Sequence, residues 1–537
     1  MLGVSILRLI VKDYLQTLKE KDELDLLLCD LLRQDGFVID SVPRTGNRQY
    51  GVDILAHNKT DVFLLVVKQG NIDRKTWDND QNSVRQSLDE IFDVSLRNLS
   101  PSDQRKKISI IVATNGFLDE AIRLNWQGYQ GNHSKWNGKI VRFEFWGIDE
   151  ITLQVQQKLF SEHLFPLEMQ SALRKALYFI EEPDYKNTYF ESIIDTYINK
   201  LPVPFSLRVK KETQNGLSSL MLAAQMIAHY AASARKYRIS VLIFEYLIIR
   251  FWKWMLQNNG MEKTFCSEWI IKFYKKYDDY SQQYYAAIKD CCTDAGAFPA
   301  YSNIVEQKIK IYEVVGQLSS YAYGLLDPQR ANEVLDTVLQ LINNNPQFYY
   351  APFDENIACI SLLCRALIAR GRKEAAIGLI QNLSLLVSNW FIMLKKYPTP
   401  ADSFRDAINI ELSNPHEEYE TSAFWGFILL WTAVLNEKSN YDSIKDFLNK
   451  DLKDVTKCIW VLRENEELSL YDKHAMFSAG EGIALHVPDD YDKFHESMQF
   501  LLNQYTVELF SYQKYSFPAL EMIASHYYGS IPRVVSD

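Results

Sequence analysis

The chain has 537 residues, of which 47% are hydrophobic and 23% charged, with 31 Tyr, 28 Phe and 11 Trp. This is too long for one hydrophobic core and too aromatic for extensive disorder, so two to four folded domains are expected. A net charge of −10 excludes a molecule that attracts nucleic acid or anionic membrane over its whole surface.

Any polyanion contact must therefore be local. Residues 1–165 hold 21 Lys/Arg against 23 Asp/Glu, a balance of −2, which leaves −8 for the remainder. Room for a basic groove is thus greatest near the N-terminus. The seven cysteines (Cys29, Cys266, Cys291, Cys292, Cys359, Cys364, Cys458) are odd in number and sit in apolar patterns, which reads as buried free thiols in a reducing compartment. The start MLGVSILRLIVKDYL carries Arg8 inside its apolar run and no small-residue cleavage site, so a cytoplasmic location is expected. Residues 239–256 contain Glu245, Arg250 and Lys253, and residues 423–435 fall short of the ~20 apolar residues that a span requires. Both read as core helices, with no membrane association.

Taken in chain order, apolar residues at helical spacing predict a helix from about Leu15 to Leu32, stopping at Gly36. FVIDSV (37–42), GVDILAH (51–57), VFLLVV (62–67), ISIIVAT (108–114) and IVRFEFW (140–146) predict strands. VFLLVV and ISIIVAT are unbroken apolar runs and belong in the middle of a sheet, whereas IVRFEFW alternates and belongs nearer an edge. Residues 82–99 and 117–126 have helical spacing. Together these describe an α/β domain over 1–165, a mixed sheet flanked by helices.

From Pro166 the strand signal ends. Residues 166–537 are expected to form a large all-α, solenoid-like domain that acts as a sensor or interaction module, with a candidate subdivision near 300–345. Residues 360–387 predict a helix hairpin turning at Gly371. No fixed period recurs three times, so a regular repeat array is not expected.

The most informative stretch is residues 25–77. It runs as a helix, Gly36-Phe37, a strand, a polar turn, Gly51-Val52-Asp53-Ile54 on a second strand, and a third strand ending Val66-Val67-Lys68. Asp25 stands eleven positions before Gly36. This resembles the Mrr-like restriction endonuclease branch of the PD-(D/E)xK superfamily, over about residues 20–155. The resemblance implies a restriction-endonuclease-like fold and a metal-dependent endonuclease that cleaves DNA, with a role in prokaryotic defence against foreign DNA.

It also implies roles residue by residue. Asp53 and the main-chain carbonyl of Val67 would hold Mg²⁺ or Mn²⁺. Lys68 would orient or deprotonate the attacking water and stabilise charge on the phosphate. Position 66, where the family carries Asp, Glu or Gln, is Val, so a second carboxylate would have to come from Asp25 or from Glu90 on the helix after Lys68. Arg44, Arg48, Arg74 and Lys75, and also Arg105, Lys106 and Lys107, are candidates for phosphate contact. Trp77 is expected to anchor its loop in the core rather than to stack on a base.

No P-loop, nucleophile elbow or zinc spacing accompanies these residues. The expected partners are DNA and, through the helical domain, a protein partner or further copies of the chain. The competing expectation is a nuclease fold whose metal site is weakened by Val66 and which serves as a nucleic-acid-binding or interaction scaffold.

Overall fold

The computed structural model describes residues 2–41, 50–79, 83–160, 167–182, 185–201, 207–299, 304–349, 356–394, 408–409, 420–462, 464–472, 481–505 and 509–531. The chain divides into two compact units, Met1–Lys236 and Tyr237–Asp537.

Six strands form the sheet of the first unit: β1 (Val38–Ser41), β2 (Ile54–His57), β3 (Asp61–Lys68), β4 (Lys107–Thr114), β5 (Lys135–Trp136) and β6 (Lys139–Trp146). Their spatial order is β1-β2-β3-β4-β6-β5. β1, β2 and β3 pair antiparallel, whereas β3, β4 and β6 run parallel. The two unbroken apolar runs thus become the central strands β3 and β4, buried along most of their length. The alternating run becomes β6, next to a two-residue edge strand absent from the sequence reading.

Helices cover both faces of the sheet, in line with the mixed α/β layout. On one face Val62, Leu64 and Val66 pack with Leu88, Ile91, Trp126 and Tyr129, supplied by α3 (Val84–Glu90), the turn after it and α4 (Glu120–Asn132). The other face meets α2 (Asp25–Gln34) and α5 (Ile148–Lys158), and α1 (Leu2–Thr17) packs against α5. There Phe63 packs against Phe37 (ring centroids 4.3 Å apart) and edge-to-face on Trp146 (6.4 Å).

The continuous helix expected from Leu15 to Leu32 is broken. α1 stops at Thr17, and Lys21 (ψ 143°) and Asp22 (φ 65°) take non-helical conformations before α2 begins. The partner of the broken end lies a hundred residues away. Buried Asn115 donates through Nδ2 to the carbonyls of Leu15 (3.1 Å), Gln16 (3.2 Å) and Leu18 (2.8 Å), supplying the free C-terminal carbonyls of α1 with a side-chain partner.

The first compact unit extends past the expected boundary at 165. Three further helices, α6 (Leu167–Tyr178), α7 (Thr188–Asn199) and α8 (Leu207–Ser233), belong to it. α8 is joined to α1 by an edge-to-face contact of His229 on Tyr14 (5.4 Å) and by the Tyr230 hydroxyl, which donates to the Ile10 carbonyl (3.3 Å).

The second unit is built from α9 (Tyr237–Gln257), α10 (Thr264–Thr293), α11 (Ile304–Gly324), α12 (Pro328–Asn344), α13 (Asn356–Ala369) and α14 (Lys373–Leu394), followed by shorter helices. The stretch 300–345 lies inside this unit. The expected hairpin is α13 and α14, and the turn between them closes with the Arg372 N–H donating to the Leu367 carbonyl (2.8 Å). The unit is largely but not wholly helical. β7 (Thr421–Ser422), β8 (Thr456–Val461) and β9 (Glu481–Leu485) form a three-stranded sheet, which corrects the all-α expectation. Strands of two to six residues leave little periodic signal inside a helical sequence.

Both apolar stretches tested as membrane spans are core helices: α9 and Ala423–Leu435 are buried over most of their residues. By length and composition alone, one described helix is apolar enough to cross a membrane, Lys373–Met393. All seven cysteines are free thiols and none is exposed. Burial pushes the Cys266 thiol up to about 11.

Candidate functional site

The site is assembled where β2 has run out and β3 continues. β2 begins at Ile54, so the N–H of Val67 has no strand residue opposite it. The carboxylate of Asp53 takes that place, accepting the Val67 N–H at Oδ2 (2.7 Å), while the Asp53 N–H donates to the Leu65 carbonyl (2.8 Å). A strand residue directs its N–H and C=O to the same neighbour. The Val67 carbonyl therefore leaves β3 on the edge that carries Asp53.

Gly51 makes this turn possible. Its φ is +81°, and a Cβ there would lie 2.0 Å from the Ser87 carbonyl oxygen and 3.0 Å from Glu90 Cβ. Only a residue without a side chain lets α3 approach so closely. The Gly-x-Asp step is thus a backbone requirement as well as a chemical one.

Lys68 ends β3 and pairs in register with Thr114 at the end of β4. By strand alternation it shares a face with Val66 and Leu64, the face covered by α3. Val66 is fully buried in that apolar cluster and offers no ligand. Lys68 is half-buried, and its positive charge acts on Asp53 through space.

The acid–base character of Asp53 is strongly altered. Burial pushes its carboxyl up to about 6, against the Val67 N–H and the Lys68 charge, which pull it down; Glu20 pushes it up further and Lys21 opposes that. Half-buried Glu20 thus lies within electrostatic reach of Asp53, carried there by the break between α1 and α2. The sequence reading missed it, because a continuous helix was expected through this point.

The two expected substitutes for Val66 are placed differently. Asp25 is 3% exposed and turns to its own helix start, accepting the Leu26 N–H at Oδ1 (2.7 Å). Burial raises its pKa; the Leu26 and Asp22 N–H groups lower it, and the acids near it are Asp22 and Glu20. Glu90 is half-buried at the end of α3, behind Gly51, and accepts a long hydrogen bond from Gln86 (3.4 Å).

A second network fixes the strand ends. Asn115 Oδ1 accepts the Gly70 N–H (2.7 Å) while its Nδ2 holds the end of α1. One buried amide therefore ties the loop after Lys68 to the segment that presents Glu20. Nothing about a lone Asn after a strand announces this; only the fold brings its partners together.

Of the basic candidates, Arg44 and Arg48 lie outside the described residues. Arg74 and Lys75 are exposed, in the turn just beyond the loop after Lys68. Arg105, Lys106 and Lys107 stand at the opposite end of the sheet. Lys107 pairs with Asp61 where Lys68 pairs with Thr114, which puts the two ends about 23 Å apart at 3.3 Å per residue. Lys106 is moreover paired with Asp103 (2.7 Å). Trp77 is 3% exposed and packs edge-to-face on Trp126 and Tyr129, the anchoring role expected of it.

No family model, curated protein or solved structure matches the chain. Among the described residues no group of three or more His, Cys, Asp or Glu side chains is arranged to hold a metal. The donor set at Asp53 is smaller: one desolvated carboxylate, one main-chain carbonyl on the same edge and Glu20 at longer range. That set fits Mg²⁺, which retains several waters and shares its shell with substrate phosphate, and does not fit a cage made by protein alone.

Proposed function

We propose that the first unit is a metal-dependent endonuclease of the PD-(D/E)xK type, acting on DNA. The observation that carries this reading is Asp53: a carboxylate pushed up to about 6 by burial, fixed on the Val67 N–H, beside the strand-terminal Lys68. A purely structural aspartate at a strand end gains nothing from being desolvated, whereas ligands and catalytic groups commonly sit in such strained electrostatic settings.

Asp53, the Val67 carbonyl and Glu20 would hold Mg²⁺ or Mn²⁺. When bound, the ion would neutralise charge on the phosphate and acidify a water. Lys68 would hold the water or the phosphate oxygen through its ammonium group. The Val67 N–H keeps one Asp53 oxygen oriented. Arg74 and Lys75 would contact flanking phosphates. The helical second unit would serve to sense a trigger, engage a protein partner or bring copies of the chain together. Defence against foreign DNA is the role this chemistry suits.

The test is incubation of the full chain with supercoiled plasmid and linear DNA in Mg²⁺ or Mn²⁺, beside Asp53→Ala and Lys68→Ala. Cleavage by the wild type that both variants lose supports the assignment. Equal nicking by all three proteins removes it. A second reading rests on Val66, buried in the apolar cluster in place of an acid: a nuclease fold that binds nucleic acid or protein without cutting. DNA binding by the wild type with no cleavage under any metal favours it.

A further inference from the structure

The second unit contains a cavity of about 460 Å³, within the range of roughly 300–1,000 Å³ usual for small-molecule sites. Part of its wall is apolar, with residues such as Ile368 and Leu435, and part carries hydrogen-bond donors: Arg365, Lys373, Trp431 and Gln499. No Asp or Glu is among the described residues that line it, in a chain whose net charge is −10.

Three of these donors bear on an acceptor from outside the protein. Trp431 is 1% exposed, and its indole N–H has no hydrogen-bond partner among the described residues. Buried donors left in this state are rare in folded proteins. Arg365 is held from behind by the buried carboxylate of Glu521 (2.6 Å) and lies over the Tyr323 ring (5.5 Å). A guanidinium has five N–H donors in a fixed fork, so one carboxylate fixes its direction without exhausting it. Lys373 is the first residue of α14. A cation there faces the positive end of the helix dipole, an arrangement that an anion relieves.

We propose that this cavity binds a small organic anion: a planar ring bearing a phosphate or carboxylate. The anionic group meets Lys373, the start of α14 and Arg365. A ring acceptor or anion oxygen takes the Trp431 N–H. The ring lies against the apolar wall beside Tyr323.

The test is titration calorimetry on the full chain with phenyl phosphate, benzoate, adenosine 5′-monophosphate and inorganic phosphate, for the wild type, Lys373→Glu and Trp431→Phe. The expected result is saturable binding of at least one ring-bearing anion at about 1 mM or tighter. Lys373→Glu should weaken it at least about tenfold, and Trp431→Phe about fivefold, the loss of one neutral hydrogen bond. Melting curves of the unliganded variants check that each is folded. Phenyl phosphate and benzoate together tell which anion is read. The proposal is overturned if no ring-bearing anion binds, if inorganic phosphate binds as tightly as phenyl phosphate, or if both variants bind like the wild type.

Discussion

The carboxylate of Asp53 accepts the main-chain N–H of Val67 at 2.7 Å, so the acid at the heart of the candidate site also completes the edge of β3. These two roles oppose each other energetically. The hydrogen bond favours the ionised form, yet burial outweighs it and pushes the group from 3.8 up to about 6. Because the folded value is the higher one, this residue's contribution to stability is fully present below about pH 4. It is lost as the pH rises through about 6. Asn in its place keeps an oxygen for Val67 and carries no charge. Asp53→Asn should therefore abolish cleavage and stabilise the fold at pH 8, on the order of 1–3 kcal/mol, with little effect at pH 4. Urea unfolding of both proteins at the two pH values measures this. Equal stability at pH 8 would show that the carboxylate is not under strain.

Glu20 and Asp25 make opposite predictions. Glu20 bears on Asp53 from the break between α1 and α2, whereas Asp25 accepts the N–H of Leu26. Glu20→Gln should lower cleavage by about 10²-fold, a loss usual for removing one charge-stabilising group, and should leave the melting temperature nearly unchanged. Asp25→Asn should cleave within a few-fold of the wild type. Because burial raises its pKa, Asp25→Asn should also be neutral or stabilising at pH 8. Plasmid cleavage by the two variants decides the matter, and the reverse order of activities would return the role to Asp25.

The contrast between these acids marks what the sequence discloses. The central strands were legible because VFLLVV and ISIIVAT are apolar on both faces, and the juxtaposition of Asp53 with Lys68 followed from their strand ends. Glu20 was hidden because its position depends on a helix break whose carbonyls are held by Asn115, a hundred residues along the chain. Local periodicity carries no trace of a tertiary hydrogen bond. β8 was hidden for another reason: TKCIWV is a short half-buried strand, with Trp460 52% exposed, amid helices on both sides. The division at Lys236 depends likewise on α8 packing back on α1, which no composition shift announces.

Asn115 itself yields a prediction. It is 2% exposed, gives Nδ2 to three carbonyls at the end of α1 and accepts the Gly70 N–H. Asn115→Leu strands these groups in the interior and should cost about 2–4 kcal/mol. Asn115→Asp should cost at least as much, since a carboxylate then faces three carbonyl oxygens. Denaturant midpoints of the two variants test this. A loss below about 0.5 kcal/mol in both would mean that the network does not hold α1 in place.

Trp77 and its neighbours separate core packing from nucleic-acid contact. The indole is buried edge-to-face between Trp126 and Tyr129, each 6.1 Å away, while Arg74 and Lys75, three and two positions earlier, are exposed. Truncation at a buried aromatic leaves a cavity, so Trp77→Ala should destabilise by about 3–5 kcal/mol. Trp77→Phe refills most of the space and should leave DNA affinity unchanged. Arg74→Ala and Lys75→Ala should do the opposite: stability stays, affinity falls, and the slope of log affinity against log salt drops by about one per residue. Fluorescence anisotropy on the cleavage-dead Asp53→Asn background, over a salt series, reads all three. If Trp77→Phe weakened DNA binding at full stability, the ring would be a stacking platform. Unchanged salt slopes for both cationic variants would move the phosphate track away from this turn.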